Sequence, residues 1–169
     1  EQRSIAAEEL ITHLKRIPLE RLLEVMKDID ALLRPLFEKL QARTPWMTWE
    51  EIRNMHQNGI SFGAHTHNHV ILTTCTQEEA EREIVNSKEI LSERLGENVN
   101  TFSYPNGDYH RVHVDILKRH GFTHAVTTHS GHIKDSSDFL TLKRFMLHED
   151  MTKTIPMFAC KLTGKIPFY

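Results

Sequence analysis

The sequence predicts an α/β fold on a mostly parallel sheet, preceded by a helical segment. Three observations carry this expectation. From residue 48 onward, short apolar strand-like runs alternate with capped helical stretches. Before residue 45 the only periodicity is helical. The unusual polar clusters fall directly after the strand runs, where parallel α/β folds build their sites. A chain of 169 residues is the size of one domain with a sizeable core. Four strand runs are few for a closed barrel, so the chain is expected to be the later part of one.

Residues 5–42 read as helix throughout. Leu19, Leu22, Leu23, Met26, Ile29 and Leu33 lie on one apolar face, which is expected to pack as core. Pro18 suits a first helical turn, and Pro35 is expected to end or kink the helix. Thr48-Trp-Glu-Glu51 is a capping box that opens the next helix, and Gly59 can close it. Ile60–Ala64 then reads as a strand. Thr76 with Glu79 opens a helix bearing Ala80, Ile84, Leu91 and Leu95 on one face, with Gly96 as its stop. Thr101–Tyr104 is the next strand, followed by a helix near 111–120 ended by Gly121. Thr123–Thr127 and Leu140–Leu147 are the last strands, and a final helix covers about 152–162.

Composition excludes several classes of function. Lys and Arg number 21 against 23 Asp and Glu, a formal charge of -2, so neither nucleic acid nor an acidic membrane is the expected partner. No apolar run approaches the roughly 20 residues of a membrane span, and the start EQRSIAAEEL does not read as a signal peptide. The first residue is Glu, so an upstream segment is expected to be missing. Cys75 and Cys160 are far apart and form no paired motif, so a bound transition metal would fall to the 12 histidines and the carboxylates.

The chemistry gathers after the strands. Strand 60–64 is followed by His65-Thr-His-Asn-His69, strand 101–104 by Pro105-Asn-Gly-Asp108, strand 123–127 by His129 and His132, and strand 140–147 by His148. On a helical turn His65 and His69 would share a face and chelate one divalent ion, while His67 points elsewhere. The bland alternative is a polar helix start. Two imidazoles need a third ligand and an open position for water. Pro105-Asn-Gly must turn sharply. The turn is either a plain strand-to-helix connection or a backbone amide held beside the metal to stabilise an oxyanion.

Taken together, these motifs resemble the polysaccharide deacetylase family, carbohydrate esterase family 4. Gly63-Ala-His-Thr-His-Asn-His69 is similar to its H-[ST]-x-x-H metal motif, and Thr101-Phe-Ser-Tyr-Pro-Asn-Gly107 to the F-x-Y-P-x-G form of its third motif. Thr123-His-Ala-Val-Thr-Thr128, Gly131, Leu142-Lys-Arg144 and the lead-in Trp49-Glu-Glu-Ile-Arg with Asn58-Gly-Ile60 also match. The resemblance runs from about residue 46 to the end. It implies a distorted or partial (β/α) barrel with an added helical segment at 1–45, residues 46–169 being the C-terminal part of the catalytic domain.

The resemblance also implies metal-dependent removal of N-acetyl groups from an amino-sugar polysaccharide or oligosaccharide. His65 and His69 would be ligands of a divalent metal, zinc being the expected ion. Thr66 would fix the loop, Pro105 would shape the turn, and Tyr104 and Pro105 would border the substrate. The Asn106 amide would face the oxyanion, and His148 is a loosely matching counterpart of the catalytic acid. The family's T-F-D-D motif, source of the base and the third ligand, has no counterpart, because the sequence contains no Asp-Asp pair. Asp28 and Asp30 lie in the amphipathic helix and are not assigned that role. The third motif also lacks the arginine of many relatives. Two other readings stay open: a non-catalytic carbohydrate-binding domain, and a hydrolase of a different amide. Relatives often work at the cell envelope or outside the cell; the sequence leaves the compartment and the oligomeric state open.

Overall fold

A computed structural model describes residues 9–40, 46–148 and 152–163. Four chain segments lie side by side in sequence order. The central two form a parallel pair, β1 (Thr101–Ser103) and β2 (His124–Val126), with Phe102 opposite Ala125. Ala64 bridges Phe102 on the outer side of β1, and Leu142 bridges Val126 on the outer side of β2, both parallel. The four expected strand runs therefore run parallel, as expected, but two shrink to single bridges. The described residues form a helix-rich partial layer around a two-stranded sheet, not a closed barrel.

The α-helices named among the described residues are α1 (9–14), α2 (Leu19–Leu40), α3 (Trp49–Gln57), α4 (Gln77–Leu95), α5 (Arg111–Arg119) and α6 (Ile155–Leu162). The reading of residues 5–42 as helix throughout is corrected at 15–18 within the described residues, just where Pro18 was expected to open a first helical turn. The chain leaves the helix at 15–18 and re-enters it at Leu19, with the Pro18 carbonyl accepting from the Leu22 amide at 2.9 Å. The expected stop or kink at Pro35 is also corrected as a stop, because α2 runs on to Leu40. A proline deletes its own amide from the ladder, and the bonds on either side can carry the helix past it. Several apolar side chains of this segment stay exposed, Leu32 at 79%. The last helix begins at Ile155, later than expected, with Thr154 as its cap. Among the described residues no helix is long and apolar enough to cross a membrane.

Both capping boxes form. Thr48 Oγ1 accepts from the Glu51 amide while Glu51 accepts from the Thr48 amide, and Thr76 and Glu79 repeat the arrangement. Gly96 ends α4 in the left-handed conformation, φ 73°. Helices α4 and α5 are the crossovers that make a parallel layer feasible. Ala80 and Ile84 of α4, and Val114, Ile116 and Leu117 of α5, are buried. They pack around Phe102, whose ring meets Tyr104 and Phe122 edge-on at 5.3 and 5.6 Å. Lys88 from α4 donates to the His120 carbonyl at 2.6 Å, satisfying an acceptor at the end of α5. The core thus fixes the carboxyl ends of the strand lines against one another.

Candidate active site

The line through Ala64 leaves the sheet into the loop 65–69. Here the sequence expectation of a helical turn is corrected. The histidines meet because Thr66 and His69 adopt left-handed backbone, φ 61° and 57°, and turn the chain back on itself. Such conformations cost non-glycine residues about 1–2 kcal/mol each. The His65 and His69 rings stand edge to face with centroids 4.7 Å apart, while His67 is exposed.

His65 is half-buried, and its Nδ1 lies 2.6 Å from the Ser103 carbonyl at the end of β1. A carbonyl only accepts, so Nδ1 carries the proton and Nε2 is left with its lone pair. Burial pushes the His65 pKa below the ordinary histidine value, the Ser103 bond opposes this, and the charges of His69 and Arg144 add to the lowering. The neutral ring, the form that binds metals, is favoured. Asn68, just before His69, is held by Glu83 of α4: its backbone amide donates to Oε2 at 2.7 Å and its side-chain amide to Oε1 at 2.6 Å. Neither Glu83 nor the proximity of Arg144 to His65 was evident as a site feature in the sequence. The i, i+3, i+4 placement of Glu83 with Ala80 and Ile84 on a buried face was the available signal.

The turn after β1 supplies the second feature. Asn106 is left-handed at φ 58° and Gly107 at φ 86°. The Asn106 carbonyl accepts from Thr128 Oγ1 at 2.9 Å, its side-chain amide donates to Asp108 at 2.5 Å, and Lys15 donates to its Oδ1 at 2.8 Å. His69 and Asn106 border one open cavity of about 390 Å³, which Leu14, Lys15 and Met26 from the N-terminal segment also line. The sequence reading brought no residue before 45 to the site.

Tyr104 and Pro105 are the two residues expected to border the substrate. Both side chains are fully buried, and the Tyr104 hydroxyl donates to the Leu140 carbonyl at 3.0 Å. They hold the turn from beneath. His148 is exposed, and among the described residues no hydrogen bond or ring contact joins its side chain to the histidine pair. His129 faces Tyr109, and His132 packs on Phe145. Asp30 pairs with Arg34 on its own helix. Cys75 and Cys160 are free, half-buried thiols. Among the described residues no group of three or more His, Cys, Asp or Glu side chains is placed to hold a metal. His65 and His69 fit two positions of such a site.

Parallel strand lines with helical crossovers, and a paired-histidine loop at their carboxyl ends, define an α/β scaffold with a polar site at the strand ends. A family model for polysaccharide deacetylase matches residues 24–125, and the chain belongs to that family. It is 26% identical over 106 residues to a putative polysaccharide deacetylase, YxkH, of Bacillus subtilis, covering 63% of this chain and 38% of the relative. It resembles the Streptococcus pyogenes deacetylase PplD in complex with acetate, at 30% identity and TM-score 0.60, over 62% of this chain and 46% of that one. A polysaccharide deacetylase of Bacillus cereus, BC0361, gives 30% identity and TM-score 0.60 over 68% and 36%. The chain thus spans less than half the length of each of these relatives.

Proposed function

We propose that this chain is part of a metal-dependent N-deacetylase acting on an amino-sugar polysaccharide or oligosaccharide, with the partial (β/α) layer as one sector of a deacetylase barrel. The observation that carries the reading is the histidine pair. His65 is locked in the tautomer that frees Nε2, and it stands beside His69, which shares a cavity with the Asn106 turn. His65 and His69 would hold a divalent ion, zinc first. When bound, such an ion polarises an amide carbonyl and lowers the pKa of water towards roughly 7.

The chain's own residues supply the rest of the surroundings. The Ser103 carbonyl orients His65, as acceptors behind metal-binding imidazoles commonly do. The Asn106 amide, in a turn pinned by Thr128, Asp108 and Lys15, is assigned to the developing oxyanion. His148 is assigned as the acid that protonates the departing amine. The base and the third ligand are carboxylates that we assign to a segment outside these 169 residues, which contain no Asp-Asp pair. The products are acetate and a free amino sugar.

The test is acetate release from an N-acetylated chito-oligosaccharide by the full-length protein loaded with zinc. Replacement of His65 or His69 by Ala is expected to lower release at least about 100-fold, in keeping with loss of a metal's charge stabilisation. Release that survives both replacements overturns the reading. Saccharide binding without release from the intact protein would favour a non-catalytic carbohydrate-binding domain.

A further inference from the structure

We propose that Glu83 is the positioning residue of the histidine pair, holding His69 in place through Asn68. The proposal rests on the reading of His65 and His69 as metal ligands. Its basis is the mismatch between the loop and its local preferences. Thr66 and His69 both take left-handed backbone without being glycine, and the buried Thr66 hydroxyl has no hydrogen-bond partner among the described residues. A five-residue loop with those features needs anchors outside itself.

One anchor is the Ser103 carbonyl, which fixes the His65 ring. It does not reach the His69 end. There the anchor is Glu83, only 7% exposed, with each carboxylate oxygen engaged by a different donor of Asn68. A buried carboxylate is a costly way to stabilise a fold, and an apolar residue of similar size would often serve stability as well. What a carboxylate adds is geometry, because its two acceptors fit the backbone and side-chain amides of one asparagine together. Glu83 also stands on a rigid platform. Helix α4 is capped by Thr76 and Glu79, and Ala80 and Ile84 on the same face are buried in the core. A displacement of Asn68 moves His69, the next residue, relative to a His65 that stays tied to β1.

The experiment compares wild type, Glu83→Ala, Glu83→Gln, Asn68→Ala and His65→Ala in the full-length protein, which carries the carboxylate ligands assigned outside these 169 residues. It measures zinc affinity by competition with a chromophoric chelator, and amide hydrogen exchange across residues 65–69 without metal. Partners behind metal-binding histidines typically contribute 10–100-fold in affinity. Glu83→Ala is therefore expected to weaken zinc binding about 10–100-fold and to speed exchange at 65–69, while β1 and β2 keep their protection. Glu83→Gln, which retains one acceptor for the Asn68 amide, is expected to recover part of both. Asn68→Ala keeps Glu83 and its bond from the residue-68 backbone amide, so it tests the same contact if Glu83→Ala does not fold, and it should shift both readouts in the same direction. Wild-type affinity together with wild-type loop exchange in Glu83→Ala overturns the proposal. Zinc binding that is absent from wild type, or that survives His65→Ala, sinks the metal reading instead. Loop exchange then decides the role of Glu83 by itself: unchanged exchange overturns it, and selective acceleration at 65–69 supports it.

Discussion

Gly107 and Tyr104 show how single residues shape the Asn106 turn. At Gly107 the backbone is left-handed, and an added Cβ would stand 2.0 Å from Thr128 Oγ1 and 2.6 Å from the Thr128 amide nitrogen. Gly107→Ala is therefore expected to cost about 2–4 kcal/mol, measured by urea unfolding, since it combines backbone strain with a clash against main chain. A cost under 0.5 kcal/mol would mean that the turn can open freely. Tyr104→Phe leaves the Leu140 carbonyl without its donor inside the core, for an expected loss of about 1–2 kcal/mol by the same measurement. The sequence identified Asn106-Gly107 as a turn because those residue types tolerate positive φ. It did not reveal the burial of Tyr104, because a tyrosine next to a site motif has the same letter whether its hydroxyl faces a ligand or a buried carbonyl. The His65–His69 pairing was likewise anticipated by spacing but for a different reason. An i, i+4 pair suggests a helical turn, and only the left-handed residues at 66 and 69 bring these rings together.

Helix ends were the most legible elements. Thr48, Thr76, Gly59 and Gly96 act locally, each through a neighbour three or four residues away or its own backbone, so their signals survive in the linear sequence. The strand lines were legible in their parallel direction but not in length, because pairing depends on a distant neighbour, Phe102 for Ala64 and Val126 for Leu142, and the runs at 60–64 and 140–147 pair at one residue each. Helix α5 starts with an unanticipated device. The His110 amide donates to Nδ1 of His113 at 3.0 Å, so that nitrogen must be unprotonated. Burial, and then the charge of His110, lower the His113 pKa from 6.5 to about 4. Between those values the unfolded chain binds more protons than the folded one, so stability rises with pH across this window. His113 should thus contribute its full stabilisation above about pH 6.5 and lose it as pH falls towards 4, on the order of 3 kcal/mol in all. Thermal melts at pH 7, 5.5 and 4 check this. His113→Gln should flatten the slope, and an equally steep slope in that variant would move the titration to another group.

At the scale of the whole molecule, the sheet order and the two crossovers bring together residues from distant parts of the chain. His65 meets Ser103, Asn68 meets Glu83, and Lys15 meets Asn106 across 91 positions. The last of these was invisible in the sequence, where the first 45 residues carry only an amphipathic pattern. If His65 and His69 bind a metal in the folded state alone, that metal must stabilise the fold by mass action. Zinc at 100 times its dissociation constant would add about 2.7 kcal/mol to unfolding. The expected outcome is a saturable rise in melting temperature with zinc, abolished in His65→Ala and in His69→Ala and reversed by chelator. The half-saturating concentration carries a second message. Two imidazoles alone bind weakly compared with a closed four-ligand site, so half-saturation in the high micromolar range is expected for this chain. A longer protein that brings a carboxylate to the same pair should shift that point down by orders of magnitude. Tight binding by the 169 residues themselves would require another donor, from the rest of this chain or from a second copy. Measuring the zinc-induced shift at two protein concentrations separates these, because only a shared site depends on the concentration of the chain.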